Sequence, residues 1–210
     1  FTGEPNNQAT AVERLKVALL LMQTFCAQSF EDAHCKGGST FGIELDPKNL
    51  SMPNVVVFKS KYTCAHITKL GNNWTDGGQE GYSLLQTEIG FSKPHVKNWV
   101  ILSGHGYDGQ VKKTSMAAAL GGGNQAMFSS HTLYSYATTV DGVVKAFSRA
   151  GTVDTSKVCD DSAGRGSYWA NYSTGVGASM HELGHAFDCP HTPDGIMARG
   201  FDHFNRFFLL

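Results

Sequence analysis

Long apolar runs and an excess of either charge are missing from this sequence. Its longest strongly apolar run, residues 17–22, is far shorter than the roughly 20 residues that a helix needs to span a bilayer. The formal net charge of −1 over 210 residues offers no basic surface for a phosphate backbone or an anionic membrane. We therefore expect neither a membrane span nor a nucleic-acid partner.

Cysteines are also few, with five in the whole chain. A chain of this length with 41% apolar residues can bury a sizeable core and does not depend on a disulfide framework. The odd number leaves at least one thiol unpaired within the chain. Cys159–Cys189 and Cys26–Cys35 are the candidate bridges, and the alternative for Cys189 is a small, buried and unpaired side chain.

The compartment is only weakly indicated. No secretory leader is recognisable and the first residue is Phe1 rather than Met, so we expect a processed or excised piece. The sequons at Asn73 and Asn171 permit glycosylation of a secreted protein. With a charged fraction of 17% and 24 glycines, they favour an extracellular protein slightly over a cytoplasmic one.

Hydrophobic periodicity predicts helices interleaved with strands, which is typical of a layered α/β or α+β domain. The predicted helices cover residues 10–30, 82–89, 140–147 and 175–187. The predicted strands cover residues 41–45, 54–58 and 99–102, whereas 71–81 is predicted to be a loop and 152–172 to be irregular. Residues 117–123 are too rich in glycine for a central strand, so we expect an edge strand or a segment that another backbone approaches closely.

The strongest chemical signal is the pair His181 and His185 on the last predicted helix. Side chains at i and i+4 lie on one helix face, so both imidazoles can reach one tetrahedral zinc ion. Glu182 would then accept a proton from a zinc-activated water without being a ligand itself. The opposite face of the helix is apolar and contains Val176, Met180, Leu183 and Phe187. The helix therefore combines a core face with a histidine face.

A third ligand has to come from beyond this helix. No glutamate follows Glu182, which excludes the sites that a downstream Glu completes. His191 is the predicted third ligand, and it requires the helix to end near Asp188 with a sharp turn. Asp is one of the non-glycine residues that best tolerate the left-handed conformation of such a turn, and Pro190 prevents the helix from resuming.

Other residues could replace or assist this ligand set. Asp194 or Asp202 is the alternative third ligand, and Asp202 would otherwise orient a ligand through a hydrogen bond. The remaining histidines considered are expected to be surface or hydrogen-bonded side chains, and they are His34, His66, His95, His105 and His131. His105 lies between two glycines at a strand end and is the best further cleft candidate among them.

At His181, Glu182, His185 and His191 the chain resembles the metzincin clan of zinc metallopeptidases. The resemblance implies that Met197 forms an apolar floor under the histidines in a tight turn. It also implies a zincin-like fold with a twisted mixed sheet, an active-site helix beneath it and a small C-terminal subdomain. The expected domain organisation is a single catalytic domain, residues 1–210, with an upper part at 1–188 and the small part at 189–210.

A closer resemblance is to a mainly fungal family of zinc metallopeptidases whose members often carry a jacalin-like lectin domain elsewhere in the chain. The similar stretches cover most of the sequence and include residues 10–28, 118–135 and 172–208. The resemblance implies one catalytic zinc ion and a peptide or protein substrate that extends along an edge strand, here residues 117–123. It also makes Arg199 or His203 a candidate for stabilising an oxyanion.

Two other functions remain open at this point. A catalytically inert zincin-fold module would bind a partner or a glycan, and a hydrolase would cleave a non-peptide amide. Glu182 argues against the inert module, because a structural zinc site has no use for a base beside it. The aromatic residues of the C-terminus are expected to form an amphipathic closing helix, and they are Phe201, Phe204, Phe207 and Phe208.

Overall fold

Helices and short strands alternate along the chain. The computed structural model describes residues 8–35, 40–70, 80–90, 95–104, 106–114 and 117–209. The helices are α1 (Gln8–Asp32), α2 (Cys64–Lys69), α3 (Glu80–Ile89), α4 (Val143–Phe147) and α5 (Tyr168–Ala186), and 3₁₀ helices cover Ser130–Ser135 and Arg199–Phe207. The strands are β1 (Leu45–Asp46), β2 (Asn49–Pro53), β3 (Asn98–Leu102), β4 (Tyr107–Asp108), β5 (Lys113–Thr114), β6 (Ala119–Gly122) and β7 (Gln125–Ser129). This composition confirms the predicted α+β class.

The largest sheet of the described residues has the strand order β3–β7–β6. Strand β3 runs parallel to β7, whereas β6 runs antiparallel to it, so the sheet is mixed as expected. Strand β6 lies at an edge, which confirms the edge strand predicted within residues 117–123. Helix α5 packs against β6 and β7 and therefore lies close to this edge.

Helices α1 and α5 meet in the main hydrophobic core. Val17 and Met22 of α1 are completely buried, as are Tyr172 and Val176 of α5. The ring of Phe147 stacks on that of Tyr172 with the centroids 4.2 Å apart. Burial of one large apolar side chain stabilises a fold by about 1.5–3 kcal/mol, so this cluster anchors α5 firmly.

Helix α5 begins at Tyr168, so the predicted start at residue 175 and the irregular structure predicted up to 172 are wrong at this boundary. Glycine is normally unfavourable inside a helix, but the glycines of α5 serve its packing. A Cβ at Gly175 would collide with the hydroxyl of Tyr136, and one at Gly177 would collide with the main-chain carbonyl of Phe201. These glycines therefore allow close contacts instead of marking the helix start.

The predicted apolar face of this helix is largely confirmed. Val176, Met180 and Leu183 are buried. Phe187 follows the last residue of α5 and is 36% exposed, with its ring 5.3 Å from that of Phe41.

Two predicted strands are wrong. Residues 41–44 have no strand structure, and β1 contains only Leu45–Asp46. Residues 54–58 are irregular, and Val56 and Val57 are 76% and 72% exposed although their pattern predicts burial. An apolar run forms a buried strand only where it pairs with a neighbouring strand and packs on a hydrophobic core. Among the described residues, no strand pairs with 54–58 and no core cluster covers Val56 and Val57.

The remaining elements agree with their patterns. Helices α1 and α3 and strand β3 occupy the predicted positions, and α4 begins at Val143, three residues later than predicted. The predicted loop at 71–81 lies mostly outside the described residues. Of the helices that the structure describes, none has the length and apolarity needed to cross a membrane.

The C-terminal aromatic residues pack on the core as predicted, but in a different helical form. Residues Arg199–Phe207 form a 3₁₀ helix that is interrupted at His203. Phe204 is 2% exposed, and its ring lies 5.2 Å from that of Phe25 on α1. A hydrogen bond also holds this segment against α5, since the side-chain hydroxyl of Ser173 donates to the main-chain carbonyl of Asp202 at 3.0 Å.

Asn171 has a structural role that rules out a glycan in the folded chain. Its side chain is completely buried. Its Oδ1 accepts the N–H of Asp161, and its Nδ2 donates to the carboxylate of Asp160, both at 2.9 Å. These bonds tie the loop before α5 to the first turn of that helix. A glycan at Asn171 is therefore incompatible with the folded protein, while Asn73 lies outside the described residues.

Cys26, Cys35, Cys159 and Cys189 form no disulfide, so neither candidate bridge is formed. Cys189 is exposed, which corrects the expectation of a buried side chain at this position. It lies beyond the end of α5, directly before Pro190. Cys26 is half-buried on α1, and burial raises the pKa of its thiol to about 11, which keeps it protonated at neutral pH.

Candidate metal centre

The last two turns of α5 carry the first two histidines of the site. His181 is 7% exposed, whereas His185 is only partly buried. Burial lowers the pKa of the His181 imidazole, and its hydrogen bond to the carbonyl of Ile196 opposes this shift. A lowered pKa keeps the ring neutral, which is the form that binds a metal ion.

Helix α5 ends in a Schellman turn that brings His191 back to the helix. The N–H of Asp188 donates to the carbonyl of His185, and the N–H of Cys189 donates to the carbonyl of Gly184, both at 3.0 Å. Asp188 has a φ of +62°, the left-handed conformation predicted for this position. The reversal places the exposed ring of His191 against the two histidines of α5.

The three histidines converge through their Nε2 atoms. The Nε2 of His181 lies 3.1 Å from that of His185 and 3.2 Å from that of His191, and the third side of the triangle is also 3.2 Å. A tetrahedral zinc ion with bonds of about 2.0–2.1 Å separates its ligand nitrogens by about 3.3–3.4 Å. The triangle therefore has the size that one such ion requires. Among the described residues, no other group of His, Cys, Asp or Glu side chains is arranged to hold an ion.

Main-chain carbonyls orient two of these rings. Nδ1 of His181 donates to the carbonyl of Ile196 at 2.8 Å, and Nδ1 of His185 donates to that of Cys189 at 2.9 Å. Because a carbonyl can only accept, the proton is on Nδ1 in both neutral rings, and their Nε2 atoms are unprotonated. Two unprotonated nitrogens 3.1 Å apart repel each other unless a cation lies between them. The donor set therefore fits a divalent metal ion.

Glu182 lies beside the histidines and next to strand β6. Burial raises the pKa of its carboxyl above the usual range, while His185 and the N–H of Gly121, which hydrogen-bonds the carboxylate, act in the opposite direction. The carboxylate is not part of the metal-binding cluster. It lines the same open cleft of about 590 Å³ as the three histidines. A carboxylate in this position can exchange a proton with a molecule bound beside the metal.

Strand β6 approaches the helix backbone directly at this point. A Cβ at Gly121 would overlap the main-chain carbonyl of Glu182. Only glycine permits this contact, as the sequence prediction of a closely approached segment requires. Gly121 also lines the cleft, so the edge strand forms one of its walls.

The whole chain, residues 1–210, matches a family described as "Putative peptidase family" and named Metallopep. The chain belongs to this family. The predicted membership of a mainly fungal zinc metallopeptidase family is confirmed by this match and by two relatives from yeasts.

Two curated relatives of this chain are named "Putative zinc metalloproteinase". The relative from Schizosaccharomyces pombe is 40% identical over 106 residues, which are 49% of this chain and 17% of the relative. The relative from Saccharomyces cerevisiae is 43% identical over 96 residues, which are 44% of this chain and 14% of the relative. The matched part is thus less than one fifth of either relative. No solved structure matches the chain.

The alternative third ligands, Asp194 and Asp202, do not join the histidine cluster. Asp194 is exposed. The carboxylate of Asp202 accepts from the guanidinium of Arg199 at 2.7 Å and from the hydroxyl of Thr174 at 3.2 Å. His191 occupies the third corner instead, because the Schellman turn returns the chain at once to α5.

The two candidates for stabilising an oxyanion are also placed elsewhere. Of the described residues that line the cleft, none is Arg199 or His203. The guanidinium of Arg199 pairs with Asp202 and lies 4.9 Å from the ring centroid of Phe201. His203 is exposed on the C-terminal 3₁₀ helix.

The other histidines behave as surface or hydrogen-bonded side chains, as predicted. His131 is buried, with its Nε2 2.9 Å from the carboxylate of Asp161. His66 is exposed and stacks on Tyr62, and His34 and His95 are exposed. His105, the best further cleft candidate, lies outside the described residues.

Met197 packs against α5 at Gly184, between Glu182 and His185 in the sequence. It is 7% exposed, and a Cβ at Gly184 would collide with its sulfur. The turn that holds it is closed by the N–H of Ala198, which donates to the carbonyl of Gly195 at 3.1 Å. The N–H of Thr192 donates to the carbonyl of Met197 at 3.2 Å and joins this turn to the segment that bears His191.

Replacing Gly121 by Ala should lower the free energy of unfolding by about 1–3 kcal/mol, the cost typical of an extra methyl group in a packed contact. The added methyl group meets the backbone of Glu182, which cannot move aside as a flexible side chain would. Thermal unfolding of the purified variant measures the effect. Gly42→Ala is the matched control, because a Cβ at Gly42 meets nothing within 4 Å. Equal stability of the two variants would contradict the contact's role.

Proposed function

We propose that this chain is a metzincin-like zinc metallopeptidase that hydrolyses peptide bonds of peptide or protein substrates. The observation that carries the proposal is the Nε2 triangle of His181, His185 and His191, with sides of 3.1–3.2 Å, next to a carboxylate that is not part of it. The names of the two yeast relatives support zinc as the metal. Residues 1–210 would form one catalytic domain, consistent with the extent of the family match.

The three histidines would hold one zinc ion through Nε2, with their Nδ1 protons fixed on main-chain carbonyls in two cases. Bound there, zinc supplies a Lewis acid that polarises a peptide carbonyl and lowers the pKa of water. Glu182 accepts the proton of the attacking water and delivers it to the nitrogen of the leaving amine. Its partly buried position suits this exchange, because burial raises the pKa of the carboxyl toward neutral pH.

The substrate would bind in extended form along strand β6. This strand lies at the sheet edge, and Gly121 joins the cleft wall next to Glu182. An extended peptide that adds to such an edge gains main-chain hydrogen bonds irrespective of its sequence. The same arrangement is expected of a zincin-like fold, in which Met197 packs under the histidines as the floor of the site.

Cleavage of a peptide library by the purified chain, with and without a zinc chelator, tests the proposal. We expect cleavage in the presence of zinc, its loss with phenanthroline and its recovery when zinc is restored. Metal analysis should give one zinc ion per chain. A chain that binds zinc at this ratio but cleaves neither peptides nor folded proteins would contradict the peptidase function and favour an inert binding module. Cleavage that continues in chelator would contradict the role of the metal.

A further inference from the structure

The described residues that line the cleft include carboxylates but no Lys or Arg side chain. The cleft is lined by Gly121, by the three histidines with Glu182, and by residues 188–190. Lys and Arg are absent from these described lining residues. Apart from Glu182, the carboxylate among them is that of Asp188, which lies at the rim where α5 ends.

The carboxylate of Asp188 has no role in the fold that the structure describes. Its main-chain N–H closes the Schellman turn, but within the described residues no hydrogen bond or ion pair engages its side chain. The residue is exposed. The side chain of Asp188 is therefore available to a molecule that enters the cleft.

The backbone at this position does not require a negative charge. A φ of +62° is adopted most readily by Gly, and Asn tolerates it as well as Asp does. Of these three residues only Asp carries a charge, and it places this charge in a cleft whose described lining contains no Lys or Arg. A cationic side chain of a bound molecule would complement the charge of this rim.

We propose that Asp188 makes the site prefer substrates with Lys or Arg next to the scissile bond. The inference rests on the proposed peptidase function and adds a substrate class to it. An exposed carboxylate and a substrate cation form a solvent-accessible ion pair, for which a preference of about two- to fivefold over a neutral residue is expected. The preference should shrink at 1 M salt, where the Debye length falls to about 3 Å.

The test compares peptides that differ only in Lys against Gln at positions flanking the cleaved bond. We expect the wild-type chain to show a kcat/KM ratio of about two to five in favour of Lys at one flanking position. Asp188→Asn should bring this ratio close to one, because Asn keeps the left-handed turn and removes the charge. Asp188→Gly should do the same. Asp141→Asn, which removes an exposed carboxylate away from the cleft, should leave the ratio unchanged.

A binding experiment separates this inference from the proposed function. In zinc-loaded Glu182→Gln protein, the Kd values of the Lys and Gln peptides can be measured by calorimetry without turnover. The Lys peptide should bind more tightly, and the double variant Glu182→Gln/Asp188→Asn should lose the difference. If the wild-type chain cleaves nothing but this binding ratio holds, the peptidase function fails and the specificity survives. If the ratio is the same with and without the Asp188 carboxylate, the inference is overturned.

Discussion

Replacing Glu182 by Gln should lower kcat by about 10²–10⁴-fold, the usual contribution of a general acid–base residue. Gln has nearly the same shape and can still accept the N–H of Gly121, so the cleft should keep its form. It cannot accept a proton from water at neutral pH. Stopped and continuous peptide-cleavage assays would both report the loss.

The zinc content of this variant is the decisive control, because Glu182 is outside the histidine cluster. Metal analysis should show the same stoichiometry as in the wild-type chain. Glu31→Gln changes an exposed carboxylate on α1 and should leave kcat unaltered. A Glu182→Gln protein with wild-type turnover would show that the proton is handled elsewhere, whereas loss of zinc would show that Glu182 is a ligand.

Removal of His191 should have the largest effect on metal binding. His191→Ala takes away one of three nitrogen donors, and the expected loss of zinc affinity exceeds the 10–100-fold that is typical of removing a residue that merely orients a ligand. Peptidase activity should fall in parallel at limiting zinc. Competition with a chromophoric chelator measures the affinity directly.

The fold should tolerate this substitution, since the side chain of His191 is exposed in the segment after α5. Circular dichroism and thermal unfolding in the absence of zinc should therefore match the wild-type chain. His203→Ala is the matched control, because it removes an exposed histidine outside the cluster. Unchanged zinc affinity in His191→Ala would mean that His181 and His185 bind the ion with a different third partner.

The arrangement of the site was largely predictable because its parts obey local rules. His181 and His185 lie on one face of α5 because four residues make about one helical turn. The end of the helix follows from the tolerance of Asp188 for a positive φ, and that turn brings back His191. The glycines of β6 likewise predict a close approach by another backbone, which is that of Glu182.

Other features depend on distant packing or on main-chain contacts, neither of which a residue pattern contains. An apolar run at 54–58 has the same sequence character whether a neighbouring strand covers it or not, and here it is exposed. The early start of α5 depends on the fit of Gly175 and Gly177 against distant residues. The carbonyls of Ile196 and Cys189 that orient the rings are main-chain groups, so their involvement leaves no trace in residue identity.

The two orienting carbonyls belong to the same short stretch of chain as the ligands they hold, residues 181–196. Assembling all five groups closes only small loops, and loop closure over few residues costs little conformational entropy. The rest of the protein therefore need not define the coordination geometry, and its sequence can change to alter what enters the cleft. A scaffold with another wall in place of β6 can carry this stretch intact, which makes it a compact starting unit for engineered metal sites.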